Sequence, residues 1–333
     1  MKFSLPQLVR EDSNRRAFNA LYLSTMLLLI SVPVSFLRAQ NQKTEEFEPL
    51  YAGTLLSFYP ENALPGCFSV QPYIFSTQIY GAYEKNWSVL HHKNINTNTL
   101  LLSLETGITD WLDVNLIVNG SYNHFSNQHS WLYGDTVLYF GFQILHDQRG
   151  EWTPDLRLLI GETFPTGRYQ RLDRNKLKIA PSGAGSFQTS AILIIRKIFY
   201  TYPHPFNFNL NLYYIFPAST GVHGFNFYGG GPHTRGTVHP GNIFVTNLAF
   251  ELSLNQYWQL GLDIRYEHQN KSPFTGKTLL PTGLPSSERF SLAPCIEYTF
   301  NQDLSLATGV WFSVAGRNNN AFASWVANVF YMF

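Results

Sequence analysis

The chain has 333 residues, 44% hydrophobic, 16% aromatic and 14% charged, with a formal net charge of +1. Soluble domains carry about 25% charged residues, so this composition excludes a disordered chain, and the absence of a basic domain excludes a nucleic-acid binder. Beyond residue 40 there is no apolar run long enough for a membrane helix, which leaves a soluble all-β protein or a transmembrane β-barrel.

The N-terminus has the layout of an export signal. Lys2, Arg10, Arg15 and Arg16 precede an apolar stretch from Ala17 to Leu37, and Ala39 closes it with a small residue. Asn19, Ser31 and Pro33 inside the stretch argue against an anchoring helix. Arg15-Arg16 resembles a twin-arginine signal, but that route carries folded cargo and a barrel crosses unfolded. Residues 1–39 are therefore expected to be a signal peptide. The next segment, 40–65, carries Phe47, Leu50, Tyr51, Leu55, Leu56, Phe58 and Tyr59. It is expected either to lie in the periplasm as a leader or to insert into the lumen. Cys67 and Cys295 make no disulfide framework.

From about residue 66 onward, apolar and polar residues alternate with period two. Twelve strands are expected, at about 67–77, 97–108, 111–123, 135–146, 154–165, 185–198, 206–216, 242–255, 257–269, 287–300, 303–314 and 321–333. Their connections alternate between short turns and longer stretches, the latter at 78–96, 124–134, 166–184, 217–241, 270–286 and 315–320. An even number of strands with loops sorted by length to opposite ends is the plan of an outer-membrane barrel. A sandwich has no reason to sort its loops. The expected fold is thus an all-β, transmembrane, antiparallel up-and-down barrel of about twelve strands over residues 66–333. Short turns face the periplasm and longer loops face outward.

The last strand supports the same assignment. Trp325, Ala327, Val329, Tyr331 and Phe333 alternate to a terminal aromatic residue. This resembles the signal read by outer-membrane assembly machinery, with Trp325, Val329, Tyr331 and Phe333 carrying it.

The alternation also sorts side chains by face. In 206–214, Phe206, Phe208, Leu210, Leu212 and Tyr214 alternate with Asn207, Asn209, Asn211 and Tyr213. The apolar phase faces lipid, because Lys or Arg there costs about 2–4 kcal/mol at midplane. The lumen then receives Glu105, Asp113, Asp135, Glu251, Asp263, Glu267 and Glu297 against Arg157, Arg196 and Arg265. Two alternatives follow: a charged constriction preferring cations, or a paired network filling a narrow interior. Glu162 falls in the lipid phase, so it is expected near the interface or beside a bulge.

Several local motifs resemble a known family. They are Gly107-Ile-Thr-Asp-Trp-Leu-Asp-Val114, Tyr133-Gly-Asp-Thr136, Pro154-Asp-Leu-Arg-Leu158, Phe164-Pro-Thr-Gly167 and Gly183-Ala-Gly-Ser-Phe-Gln188. With the lead-in from Glu48, they resemble the outer-membrane β-barrels grouped under the meta-pathway of phenol degradation. The resemblance implies a transporter-like barrel and passage of aromatic compounds, and it implies no catalytic residues.

Eight histidines, including His91, His92, His129 and His223, fall toward the long-loop side without metal-ligand spacing. Ser126 with His124, or Asp135 with His129, are examples of hydrolase-like pairs, and no Gly-x-Ser-x-Gly elbow accompanies them. The expectation is a non-enzymatic channel, without metal or cofactor, for small, aromatic or hydrophobic solutes. The expected partners are the lipid bilayer, lipopolysaccharide and the assembly machinery. A closed structural or adhesive barrel is the alternative, and a rim-sited hydrolase the second.

Overall fold

The computed structural model describes residues 49–51 and 53–333. The expected signal peptide and the first part of segment 40–65 lie outside the described residues. Sixteen strands follow in chain order: β1 (Phe68–Tyr83), β2 (Val89–Thr109), β3 (Leu112–Phe125), β4 (Gln128–Tyr133), β5 (Thr136–Leu145), β6 (Asp155–Phe164), β7 (Gln188–Phe199), β8 (Phe206–Pro217), β9 (Thr220–His223), β10 (Arg235–Val238), β11 (Ile243–Ser253), β12 (Trp258–Gln269), β13 (Phe274–Lys277), β14 (Ser287–Asn301), β15 (Leu304–Arg317) and β16 (Asn319–Met332).

Twelve of them form a closed antiparallel ring, in the order β1, β2, β3, β5, β6, β7, β8, β11, β12, β14, β15, β16 and back to β1. Closure leaves the ring without an edge strand, which a hydrocarbon environment demands. The extra strand β4 continues the wall above β5 by pairing with the upper half of β3, from Gly120↔Tyr133 to Phe125↔Gln128. Strands β9, β10 and β13, all from long connections, build a separate three-stranded sheet. Its small core is Val222, Tyr228 and Val238, packed by Tyr169, Phe274 and Leu284. The Tyr228 hydroxyl donates to the Ala184 carbonyl at 2.8 Å, and burial pushes its phenol up to about 12.

Three of the expected long loops are mostly strand; 124–134 holds the end of β3 and all of β4, with a turn only at 126–127. Residues 78–96 complete β1 and begin β2, leaving only 84–88 as a turn, and 315–320 belong to β15 and β16 apart from Asn318. The alternation of hydropathy is lost around the turn at 84–88 because residues 84–91 are exposed on both faces, so neither must be apolar. The other three long connections, two of them carrying the short strands β9, β10 and β13, and the short turns opposite, fall as expected.

Leu210, Leu248 and Ile264 lie opposite one another on β8, β11 and β12. Of these, Leu248 and Ile264 are well exposed on the isolated protein, together with Phe208, Leu100 and Ile160 on the same face. Asn207, Asn209, Asn211, Asn247 and Asp263, one residue out of phase, are buried. The apolar phase therefore covers the outside of the ring and the polar phase fills the inside, as lipid outside a closed barrel requires. Glu162 sits two residues from the end of β6, where the Thr189 hydroxyl donates to it at 2.8 Å. Trp325, Val329, Tyr331 and Phe333 share the outward phase of β16, and Phe333 and Phe68 exchange backbone hydrogen bonds at 2.9 Å where the ring closes.

Candidate functional site: the occupied lumen

The inside of the ring is occupied by the chain that precedes β1. Residues 50–65 meet the wall strands in nearly their spatial order. The Leu50 carbonyl accepts from Gln259 of β12 at 2.8 Å. Asp263 of β12 then accepts from the Thr54 hydroxyl at 2.6 Å, the Ser57 hydroxyl at 3.1 Å and the Leu56 N–H at 3.2 Å. Asn247 of β11 donates to the same carboxylate and to the Ser57 hydroxyl, both at 2.8 Å. On β8, Asn211 accepts from the Phe58 N–H at 2.8 Å and Asn209 donates to the Phe58 carbonyl at 3.1 Å.

Arg157 of β6 donates to the Tyr59 carbonyl at 2.7 Å, and Glu61 pairs with Arg196 of β7. Gln143 of β5 accepts from the Asn62 N–H at 3.0 Å, and Asp113 of β3 from the Ala63 N–H at 3.1 Å. Pro65 finally bridges Gly107 of β2. A Cβ on Gly107 would collide with the carbonyls of Ala63 and Leu64, so glycine there lets the segment leave the lumen. Backbone groups that no sheet satisfies thus find partners among wall side chains, as buried polar groups must.

Two side chains anchor this strap in apolar wall. Leu55 packs with Ala293, Cys295, Ala307 and Val326. Phe58 packs against an inward-facing patch of Tyr139, Leu159, Ile192, Ile194, Tyr213 and Val245, with its ring 5.4 Å from that of Tyr139, edge to face. Tyr59 spans the lumen: its carbonyl is held on β6, while its ring stacks at 6.3 Å on Phe330 of β16. Those strands stand five apart in a ring of twelve, close to opposite walls.

Nine of the ten charges expected to line the lumen lie in the inward phase of their strands. Arg157 joins Glu105, at 2.5 Å, to Asp113. A Cβ on Gly141 would strike this cluster, so a glycine on β5 makes its room. Arg196 pairs with Asp155, at 2.7 Å, as well as with Glu61. Glu251 accepts from Asn207 at 2.8 Å, Glu297 from the Thr299 hydroxyl at 3.2 Å, and Glu267 from Arg289 at 3.0 Å. The Arg265 guanidinium lies 5.2 Å from the Tyr213 ring centre. Asp135, also expected inside, instead holds the loop after β6, accepting from the N–H groups of Gly167 at 2.8 Å and Ala184 at 2.9 Å. In the two hydrolase-like pairs, Ser126 accepts from Lys93 at 3.0 Å and Asp135 from the loop N–H groups just named. Cys67 and Cys295 are free thiols. Among the described residues no group of three or more histidines, cysteines or carboxylates is placed to hold a metal.

Charge alone missed much of the site. Asn209, Asn211, Asn247, Gln143 and Gln259 hold the strap, and their signal is their place in the polar phase. Ile192 and Ile194 were hidden in the unbroken run Ala191-Ile-Leu-Ile-Ile195, which is how a strand apolar on both faces reads.

The comparisons with known proteins agree with this architecture. The family model described as "Putative MetA-pathway of phenol degradation" matches residues 78–327. The chain belongs to that family. The COG4313 outer membrane channel from Pseudomonas putida F1 has the same fold, with a TM-score of 0.65 at 14% identity, over 82% of this chain and 97% of that one. Weaker likenesses include the toluene transporter TodX of P. putida, with a TM-score of 0.38 at 11% identity over 80% and 89% of the two chains. The beta domain of the Bordetella autotransporter BrkA follows at 0.45 and 11% over 81% and 100%. No curated protein matches the chain. The fold of this family member is that of an outer-membrane channel barrel.

Proposed function

We propose that this protein passes small aromatic or hydrophobic solutes passively across the outer membrane, through a lumen that the strap narrows. The observation that carries this is the seat of Phe58. A phenyl ring stands inside the lumen, on an apolar patch bounded by Tyr139 and Tyr213. Such a patch is of no use to a water-filled ion pore, and it offers a small aromatic solute the edge-to-face contacts that rings prefer. The family description and the name of the toluene transporter point to the same class of solute. Selection of cations by free carboxylates is not favoured, because Glu105, Asp113 and Asp263 are engaged by Arg157, Asn247 and the strap. The outward aromatic phase of β16 supports a role for that strand in recognition by the assembly machinery.

The test is solute entry into proteoliposomes, paired with single-channel recording. Phe58→Ala, which clears the patch, is expected to speed entry of toluene and phenol more than entry of a sugar of similar size. Asp263→Ala, which removes the acceptor shared by Thr54, Leu56 and Ser57, is expected to bring larger and longer conducting steps. A wild type and two variants that admit neither solute nor ions would refute the channel. That result would favour the closed structural barrel, which the bridge of Tyr59 between opposite walls supports as the second reading.

A further inference from the structure

Outside the lumen, charge is concentrated in one place. The connection between β6 and β7 carries Arg168, Arg171, Arg174, Lys176 and Lys178 against a single acid, Asp173, a net of +4 in a chain whose total is +1. None of the five cations forms an ion pair with a described residue. Lys176 donates to the His129 carbonyl at 3.2 Å, Arg168 to the Arg171 carbonyl at 3.4 Å, and Lys178 lies 4.4 Å from the centre of the Phe125 ring. The Asp173 carboxylate is turned onto its own backbone, accepting from the Asn175 N–H at 2.9 Å.

The loop is held firmly beneath these charges. Leu172, Ile179 and Ala180 are buried, the Ile179 carbonyl accepts from Asn123, and the Ser182 hydroxyl donates to the Tyr133 carbonyl at 2.7 Å. Between this loop and β4 lies a groove of about 410 Å³ lined by His129, Ser130, Trp131, Leu132, Arg168 and Lys176, with Asp173 and Ala180.

Register gives its height. Leu100 of β2, outward and exposed, is level with Gly120 and Tyr133; Asn98, Tyr122 and Trp131 stand one pleat period higher. The outward face therefore changes from leucine to aromatic and polar residues at this level, where an outer-membrane barrel meets the lipid head groups. Trp131 is 78% exposed there, and its ring lies 4.6 Å from that of Tyr122.

We infer that this groove binds a phosphorylated glycolipid of the outer leaflet, lipopolysaccharide, with Arg168 and Lys176 on a phosphate and Trp131 against its sugar and acyl base. Guanidinium groups suit phosphate oxygens through paired N–H donors, and basic residues held at a membrane surface are the usual complement to anionic head groups. An indole at the same rim covers the apolar part of the ligand.

The full-length protein in detergent would be titrated by native mass spectrometry with a lipid A carrying both phosphates. Its dephosphorylated counterpart, phosphatidylglycerol and inorganic phosphate are the comparison probes. The wild type is expected to hold the phosphorylated glycolipid at least about tenfold more tightly than the dephosphorylated one, and Arg168→Glu/Lys176→Glu to lose that margin. Trp131→Ala is expected to weaken both glycolipids alike. All three side chains are on the surface, so heat-modifiable migration should be unchanged and report an intact barrel. Equal binding of the two glycolipids, an unaffected double variant, or equal binding of phosphatidylglycerol would overturn the assignment. Displacement by millimolar inorganic phosphate would also overturn it, making this a free-phosphate site.

Discussion

Arg157 shows how a single residue holds both wall and strap. Its guanidinium is buried between Glu105 and Asp113, from strands on either side of one turn, and its third contact is the carbonyl of Tyr59. Removing one partner from a buried ion cluster leaves the rest uncompensated, at a cost of about 3–5 kcal/mol. Arg157→Met is therefore expected to lower the temperature at which the barrel loses its fast migration on gels, and to loosen the strap at Tyr59. Simultaneous replacement of Glu105 and Asp113 by Gln and Asn should recover much of the stability, because the stranded charges disappear. Failure of that triple variant to recover would show that the cluster matters through its hydrogen bonds to the strap.

Among the elements, β15 and β16 pair regularly but stop short of their shared turn. Their ladder ends at Phe312↔Ala323, below a turn at Asn318. Above it the Ser313 hydroxyl accepts from the Phe322 N–H at 2.9 Å and donates to the Phe322 carbonyl at 3.3 Å, replacing the missing backbone pair. Tyr83 of β1 donates to the same hydroxyl at 3.3 Å. Ser313→Ala is expected to raise hydrogen exchange at Phe322 by about tenfold, the loss of a net hydrogen bond of about 1 kcal/mol or slightly more. Exchange in β7 and β8, whose ladder is continuous, should not change. A uniform rise across the barrel would mean that the seam is instead part of one cooperative unit.

For the whole molecule, the governing fact is that the solvent is lipid outside and chain within. Leu248 lies at the centre of β11 on the outer face, while its neighbour Asn247 is wholly buried inside. Leu248→Arg is expected to cost about 2–4 kcal/mol in folding into vesicles, measured by urea-induced unfolding. The same change at Trp131, on the rim, should cost about 0–1 kcal/mol. Equal losses at both positions would contradict the assigned depth of the membrane.

Period-two alternation made the barrel legible from the chain alone, because each strand must present apolar atoms to lipid and polar atoms to the interior. The inward phase of the nine lumen charges followed from the same rule. Glu162, expected near the interface or beside a bulge, lies two residues from the end of β6. Alternation failed where it had no physical cause: residues 84–91 are exposed on both faces, and Ile192 and Ile194 have apolar neighbours on both. The partners of the charges were not legible either. Arg157 finds Glu105 and Asp113 at separations of 52 and 44 residues, and nothing local marks which carboxylate a ring closure will bring near. The same holds for the strap, whose aromatic content was visible but whose seat depends on eleven of the twelve ring strands assembled around it. Hydropathy periodicity is a local property and so determined the barrel, its faces and its two ends. Closure of the ring brought distant strands together, and only that decided which charges pair, what fills the lumen and where a basic loop meets the membrane rim.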